Sequence, residues 1–194
     1  MTDLLKQIKF IREIDKLKSI FRKTKLINSD RPENDAEHSW HLAMMVMVLA
    51  EHANEPIDTL KTMKMVLIHD IVEIDSGDVF IYDSIKSHDN FDEELEAAKR
   101  IFGILPEKQA EEFVNLWLEF EAMKTPESQF ARVVDRLEPL LQNTSNNGGT
   151  WAEFDVDYKT VYNKKQVMQK GSEKIWKFAK DLLDESVEKG ILKK

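Results

Sequence analysis

The run Met65-Val66-Leu67-Ile68-His69-Asp70-Ile71-Val72 sets an imidazole and a carboxylate inside strongly apolar sequence. A segment this apolar is buried when the chain folds. A buried carboxylate then costs several kcal/mol unless it is paired or binds a cation. The same conflict recurs at Val133-Val134-Asp135-Arg136-Leu137. It recurs again at Glu37-His38-Ser39-Trp40, which leads into the apolar run Leu42 to Ala50. Taken singly, a His or Asp of this kind is more often a hydrogen-bonded core residue. Here four of them, His38, His69, Asp70 and Asp135, lie on or beside the most apolar segments. Two imidazoles and two carboxylates form a donor set suited to a divalent transition metal.

The apolar segments carry a helical period. Leu4, Leu5, Ile8, Ile11, Ile14, Leu17, Ile20 and Phe21 recur mostly at steps of three and four, which predicts an amphipathic helix over 3–22. Residues 23–36, with Pro32, read as a loop. Helices are predicted over 36–54, apolar almost all round and so central and buried, and over 58–74. Residues 75–90 read as a functional loop around Gly77. Further helices are predicted over 91–103, 106–123 and 126–143, then a loop over 143–149, and C-terminal helices over 163–170 and 172–189. With only six Gly and five Pro in 194 residues, tight-turned β folds are disfavoured. The expectation is one all-α domain, residues 1–194, of six to eight helices.

Composition narrows the chemistry. There is no Cys, so disulfides, thiol nucleophiles and Cys-ligated metals are excluded. The net charge of −8 argues against a nucleic-acid polymer or an anionic membrane as partner. No signal-peptide pattern is visible, and the most apolar run is too short to span a bilayer, so a cytoplasmic location is expected. Asn143 to Gly149 lacks the G-K-[ST] of a phosphate-binding loop. Trp117, Trp151 and Trp176 read as core or interface residues, His41 and His52 as packed or solvated, and the Glu/Lys-rich helix over 91–103 as a solvated face.

The order His38…His69-Asp70…Asp135 resembles the H…HD…D pattern of the HD-domain superfamily of metal-dependent phosphohydrolases. The flanks narrow the match. Arg31-Pro32-Glu33-Asn34-Asp35-Ala36-Glu37-His38-Ser39 and His69-Asp70-Ile71-Val72-Glu73, followed by Gly77-Asp78-Val79, are similar to segments of the YfbR-type 5′-deoxynucleotidases and the related HD-domain-containing protein 2 family. The resemblance spans roughly residues 10–180 and implies an HD core over about 34–140. It implies an all-α fold, one divalent cation, a homodimer, and hydrolysis of (deoxy)nucleoside 5′-monophosphates by metal-activated water.

The resemblance also assigns roles. It gives His38, His69, Asp70 and Asp135 as metal ligands, Glu73 and Asp78 as the proton-handling acids, and Arg22, near the end of the first predicted helix, as the residue that orients the phosphate. Lys23 follows, where the bacterial proteins have Trp. Substrate contacts are expected from Arg22, Lys23, His38, Asp70, Asp78, Val79, Phe80, Ile81 and Asp135. Phe80 and Ile81 have an equally good reading as anchors of their loop. His88 lacks the flanking signature of two-metal HD phosphodiesterases. The donor set accepts Mn, Co, Fe, Ni or Zn, and sequence does not choose among them.

Asp70 and Glu73, three apart, share a helical face, which places Glu73 to take a proton from attacking water. Two alternatives stand beside this reading. One is an HD hydrolase of another phosphorylated metabolite such as guanosine tetraphosphate, although Ile74 stands where that alarmone's hydrolases have Asp. The other is a non-catalytic, metal-stabilised interaction protein.

Overall fold

The computed structural model describes residues 1–82 and 90–194. Its helices are α1 (Asp3–Ile14), α2 (Asp35–Leu49), α3 (Thr59–Ile68), α4 (Glu73–Ser76), α5 (Phe91–Phe102), α6 (Glu107–Ala122), α7 (Pro126–Ser145), α8 (Gly149–Glu153), α9 (Tyr158–Lys165) and α10 (Glu173–Glu188). Two short strands, β1 (Phe21–Lys25) and β2 (Pro32–Asn34), pair antiparallel. The all-α expectation holds, with this small ribbon added. The number of helical segments exceeds the expected six to eight because single-turn helices such as α4 and α8 escape a periodicity reading.

The longest helix, α7, organises the core. Thr125 caps its N-terminus, its hydroxyl accepting from the Ser128 N–H, and Pro126 opens the first turn, where a missing N–H costs nothing. Its Phe130, Ala131, Val133, Val134 and Leu140 are fully buried. It packs against α2, α3, α6 and α10. Pro139 lies inside α7 and cannot donate to the carbonyl four residues back. Near this interruption the buried Lys165 Nζ donates to the Arg136 carbonyl at 2.7 Å.

Several predicted boundaries move. The first helix ends at Ile14, continues as a 3-10 turn over Asp15–Ser19 and gives way to β1, so Arg22 lies on a strand and not near a helix end. Only Thr24 of β1 is buried, so no alternating pattern marked the strand in sequence. The predicted third helix tightens into a 3-10 segment at His69–Val72. The predicted loop over 143–149 is shorter, since α7 runs to Ser145, and α9 begins at Tyr158 because Asp157 caps it. Helix α2 is less central than its composition implied: Trp40, Met44, Met47 and Val48 form an exposed stripe. Much of the apolar face of α1 is exposed as well, at Leu4, Leu5, Ile8 and Ile11. Trp117, Trp151 and Trp176 are core residues, as expected. Among the described residues no helix is long and apolar enough to cross a membrane.

Candidate active site

Three elements bring the four candidate ligands together. Asn34 and Glu37 form a reciprocal capping box at the start of α2, which fixes His38 in its first turn. His69 and Asp70 open the 3-10 segment, and Asp135 sits mid-way along α7. All four are buried. His38 Nε2 lies 3.4 Å from Asp135 Oδ1 and 3.9 Å from Asp70 Oδ2. His69 Nε2 lies 2.9 Å from Asp70 Oδ1 and 3.9 Å from Asp135 Oδ1.

The outer partners of the imidazoles fix their tautomers. His69 Nδ1 is 2.9 Å from the Val66 carbonyl, which can only accept, so the proton sits on Nδ1 and Nε2 keeps a lone pair. That buried Nε2 has no hydrogen-bond partner. His38 Nδ1 faces Glu138 Oε2 at 3.2 Å and Glu33 Oε2 at 3.4 Å, which likewise directs its Nε2 inward. Imidazole lone pairs aimed at carboxylate oxygens repel unless a cation lies between them. This donor chemistry fits a divalent metal, and carboxylate- or carbonyl-oriented imidazoles are how such ligands are held. Without a cation, the nearest substitute is a proton. Burial and Arg22 act against the His38 imidazolium, but hydrogen bonds to Asp135, Glu138 and Glu33 outweigh them and raise its pKa well above the usual histidine range. Burial likewise opposes the Asp135 carboxylate. Arg136, His38 and Arg132 outweigh it and hold its pKa well below the usual range.

A second acidic group adjoins the first. One carboxylate oxygen from each of Asp35, Glu73 and Asp78 lies within a mutual 4.8 Å. Residues i and i+3 eclipse in a 3-10 helix, so the tightened turn aligns Glu73 with Asp70 more closely than an α-helix would. Gly77 ends α4 with φ +74°, a conformation that favours glycine, and turns the chain so that Asp78 faces back toward Arg22. Burial first, then the charges of Asp70 and Asp35, push Glu73 well above the usual carboxylate range. Burial also raises Asp78, against the opposing pull of Arg22, and pushes Asp35 up to about 7.

Arg22 reaches this cluster from β1. Its Nη1 lies 2.8 Å from Asp70 Oδ2, 3.5 Å from Asp35 Oδ1 and 4.0 Å from Asp78 Oδ1. Its buried Nε has no hydrogen-bond partner. The cluster opens onto a cavity of about 360 Å³, lined among others by Arg22, Lys23, Val79, Phe80 and Ile81. Phe80 also packs against Phe154 in a tilted pair at 4.7 Å and meets Tyr82 edge-on at 5.3 Å, so it both lines the cavity and anchors its loop. Of the expected substrate contacts, His38 alone does not line this cavity, because it lies behind Asp70 and Asp135. Residues 83–89 of the predicted 75–90 loop, His88 among them, lie outside the described residues.

Sequence reading missed the residues that hold the ligands. Glu33, Asp35 and Glu138 are buried beside them, and Arg132 reaches Asp135 Oδ2 at 3.3 Å. Glu138 carried one usable signal: it stands three residues after Asp135 on the same apolar helix. Its carboxylate takes hydrogen bonds from His38 and Gln142 and lies 3.4 Å from His41 Nδ1. His41 is thus drawn into the network while remaining partly exposed. Glu138→Gln is expected to weaken divalent-metal affinity by about 10–100-fold, the usual effect of losing an outer carboxylate partner. Metal titration of the purified variant checks this.

Comparison with known proteins decides the family. A model of the HD domain matches residues 14–176. This chain belongs to the HD-domain family. It is 27% identical to the 5′-deoxynucleotidase HDDC2 of Homo sapiens over 172 residues, covering 86% of this chain and 83% of that one. It is 30% identical to the Dictyostelium discoideum 5′-deoxynucleotidase HDDC2 over 142 residues, covering 70% and 74%. Among solved structures, a predicted metal-dependent phosphohydrolase from Magnetospirillum magnetotacticum superimposes with a TM-score of 0.94 at 46% identity, covering 99% of this chain and 96% of that one.

Proposed function

We propose that this HD-domain protein is a metal-dependent phosphomonoesterase that hydrolyses (deoxy)nucleoside 5′-monophosphates to nucleoside and phosphate. The observation that carries the reading is the convergence of two imidazole lone pairs and two carboxylates beside a cavity of nucleotide size, which His69, Asp70 and Asp135 line. Its likeness to 5′-deoxynucleotidases supports the choice of substrate.

His38, His69, Asp70 and Asp135 would hold one divalent transition-metal ion. When bound, such an ion supplies Lewis acidity, polarising a phosphoryl oxygen and lowering the pKa of water. The chain's own residues do the rest. Arg22, whose buried Nε makes no hydrogen bond and lies 3.8 Å from Glu33 Oε2, neutralises and orients the phosphate. Glu73, aligned with Asp70, accepts a proton from the attacking water. The new P–O bond forms as the bond to the 5′ oxygen breaks, and Asp78, raised by burial, returns a proton to that leaving oxygen. No covalent enzyme intermediate is needed. Lys23 stands at the cavity edge and favours the anionic substrate. The exposed Trp40, Met44, Met47 and Val48 stripe on α2 supports a homodimer, with a second copy as its cover.

A phosphate-release screen over deoxynucleotides, ribonucleotides and guanosine tetraphosphate, with Mn²⁺, Co²⁺ or EDTA, tests the function. Release from 5′-monophosphates with Mn²⁺ or Co²⁺, abolished by EDTA, is the expected result. Release from the alarmone alone favours the other hydrolase, and no release with any metal contradicts both.

A further inference from the structure

Arg22 is not alone in facing the cavity with a guanidinium. Arg132 and Arg136, one turn apart on α7, line it as well. Their surroundings differ. Arg132 is fully engaged: its Nη1 reaches Asp135 Oδ2 at 3.3 Å, its Nη2 donates to Glu121 Oε1 at 3.1 Å, and its guanidinium carbon lies 4.1 Å from the centre of the Phe120 ring. Arg136 has one ionic neighbour among the described residues, Asp135 Oδ2 at 3.8 Å, which is beyond hydrogen-bond distance. Yet its side chain is three-quarters buried. Its backbone is held in place, since the buried Lys165 of α9 donates to the Arg136 carbonyl at 2.7 Å. A guanidinium so placed, with its fork of donors unfilled among the described residues, suits an oxyanion.

The charge balance of the site calls for such a cation. Asp35, Asp70 and Asp135 are buried together there. With a phosphate dianion added, their negative charge exceeds what a divalent ion and Arg22 supply. Arg132 does not close the gap, because Glu121 offsets it. Arg22 stands against Asp70 at 2.8 Å and Arg136 stands against Asp135, so the two arginines attend different carboxylates of the same ligand set. We propose that Arg136 is a second phosphate-binding residue of this site, donating to a non-bridging oxygen of the same scissile phosphate that Arg22 orients. Negative charge that spreads over those oxygens as the bond to the 5′ oxygen breaks then meets two guanidinium groups in place of one. The inference rests on the proposed function and keeps its substrate class, since both arginines serve a single phosphate.

Calorimetric titration of inorganic phosphate into metal-loaded protein is the test, read beside metal affinity and steady-state kinetics on deoxyadenosine 5′-monophosphate. Arg136→Gln is expected to weaken phosphate binding by about tenfold or more, as the loss of a charge-assisted contact does, and to lower kcat/KM at least as far. Its metal affinity should hold or rise, because the substitution removes a cation beside Asp135. Arg136→Lys keeps the charge without the fork, and its phosphate affinity should fall between the two. A residue that merely held Asp135 in place would give the reverse pattern: Arg136→Gln would lose metal affinity and, once saturated with metal, bind phosphate as the wild type does. That pattern would overturn the inference, as would phosphate affinity unchanged in Arg136→Gln. If Arg136→Gln fails to fold, Arg136→Lys decides, and equal phosphate affinity in that variant counts against the inference. In each of these cases wild-type hydrolysis of the monophosphate still upholds the proposed function. A wild type that neither binds phosphate nor hydrolyses the monophosphate would overturn that function and this inference together.

Discussion

Glu73→Gln is expected to lower phosphate release from deoxynucleoside 5′-monophosphates by about 10²–10⁴-fold, the usual contribution of a positioned general base. The loss should fall on kcat, with metal content unchanged, because Glu73 is not among the four converging donors. The reasoning is geometric first. The 3-10 turn eclipses Glu73 over Asp70, so its carboxylate would meet water approaching a phosphate bound by an ion at Asp70. Its environment then adds basicity: burial and the nearby Asp70 and Asp35 carboxylates raise its affinity for a proton. Gln preserves the shape and removes the carboxylate that takes the proton. Steady-state kinetics beside elemental analysis of the same preparation separates this role from a loss of metal. Full turnover in the metal-loaded variant would rule out Glu73 as the base.

Asp135→Asn is expected to act on the metal itself. Asn is a weaker ligand, and its substitution leaves Arg136 facing the site without its carboxylate and Arg132 with Glu121 alone. Metal affinity should fall by more than the roughly 10–100-fold expected for an outer partner such as Glu138, and turnover should fall with it. A ligand that binds only the folded state stabilises by about 2.7 kcal/mol at 100 times its Kd. For a chain of this size that corresponds to about 5–10 °C in thermal midpoint. Wild-type protein should show this rise on adding Mn²⁺, and Asp135→Asn should not. An equal rise in both would remove Asp135 from the ligand set.

The site was legible in sequence because its conflict was local. A carboxylate such as Asp70 or Asp135 inside an apolar run needs no fold to look out of place. The helices were legible for a similar reason, since α3, α6 and α7 carry strong period and clear caps or prolines. What escaped was tertiary. Strand β1 owes its pairing to β2, and its burial does not alternate, so Arg22 was assigned to a helix end. The 3-10 turn at His69 answers to the demands of the site, whereas local propensity favoured a continuous helix. Glu33 and Asp35 lie in ordinary polar sequence and are recognisable only once packing seals them beside His38 and Arg22, whereas Glu138 had its place on the apolar helix of Asp135 as a signal. The exposed stripe of Trp40, Met44, Met47 and Val48 made α2 look central, because composition does not distinguish a face covered by the core from one left open.

Anomalous diffraction from crystals grown with Mn²⁺ tests the central claim most directly. The account predicts one strong peak coordinated by His38 Nε2, His69 Nε2, Asp70 and Asp135. No peak among those four residues, with the ion held instead by Glu33, His41 and Glu138, would contradict it.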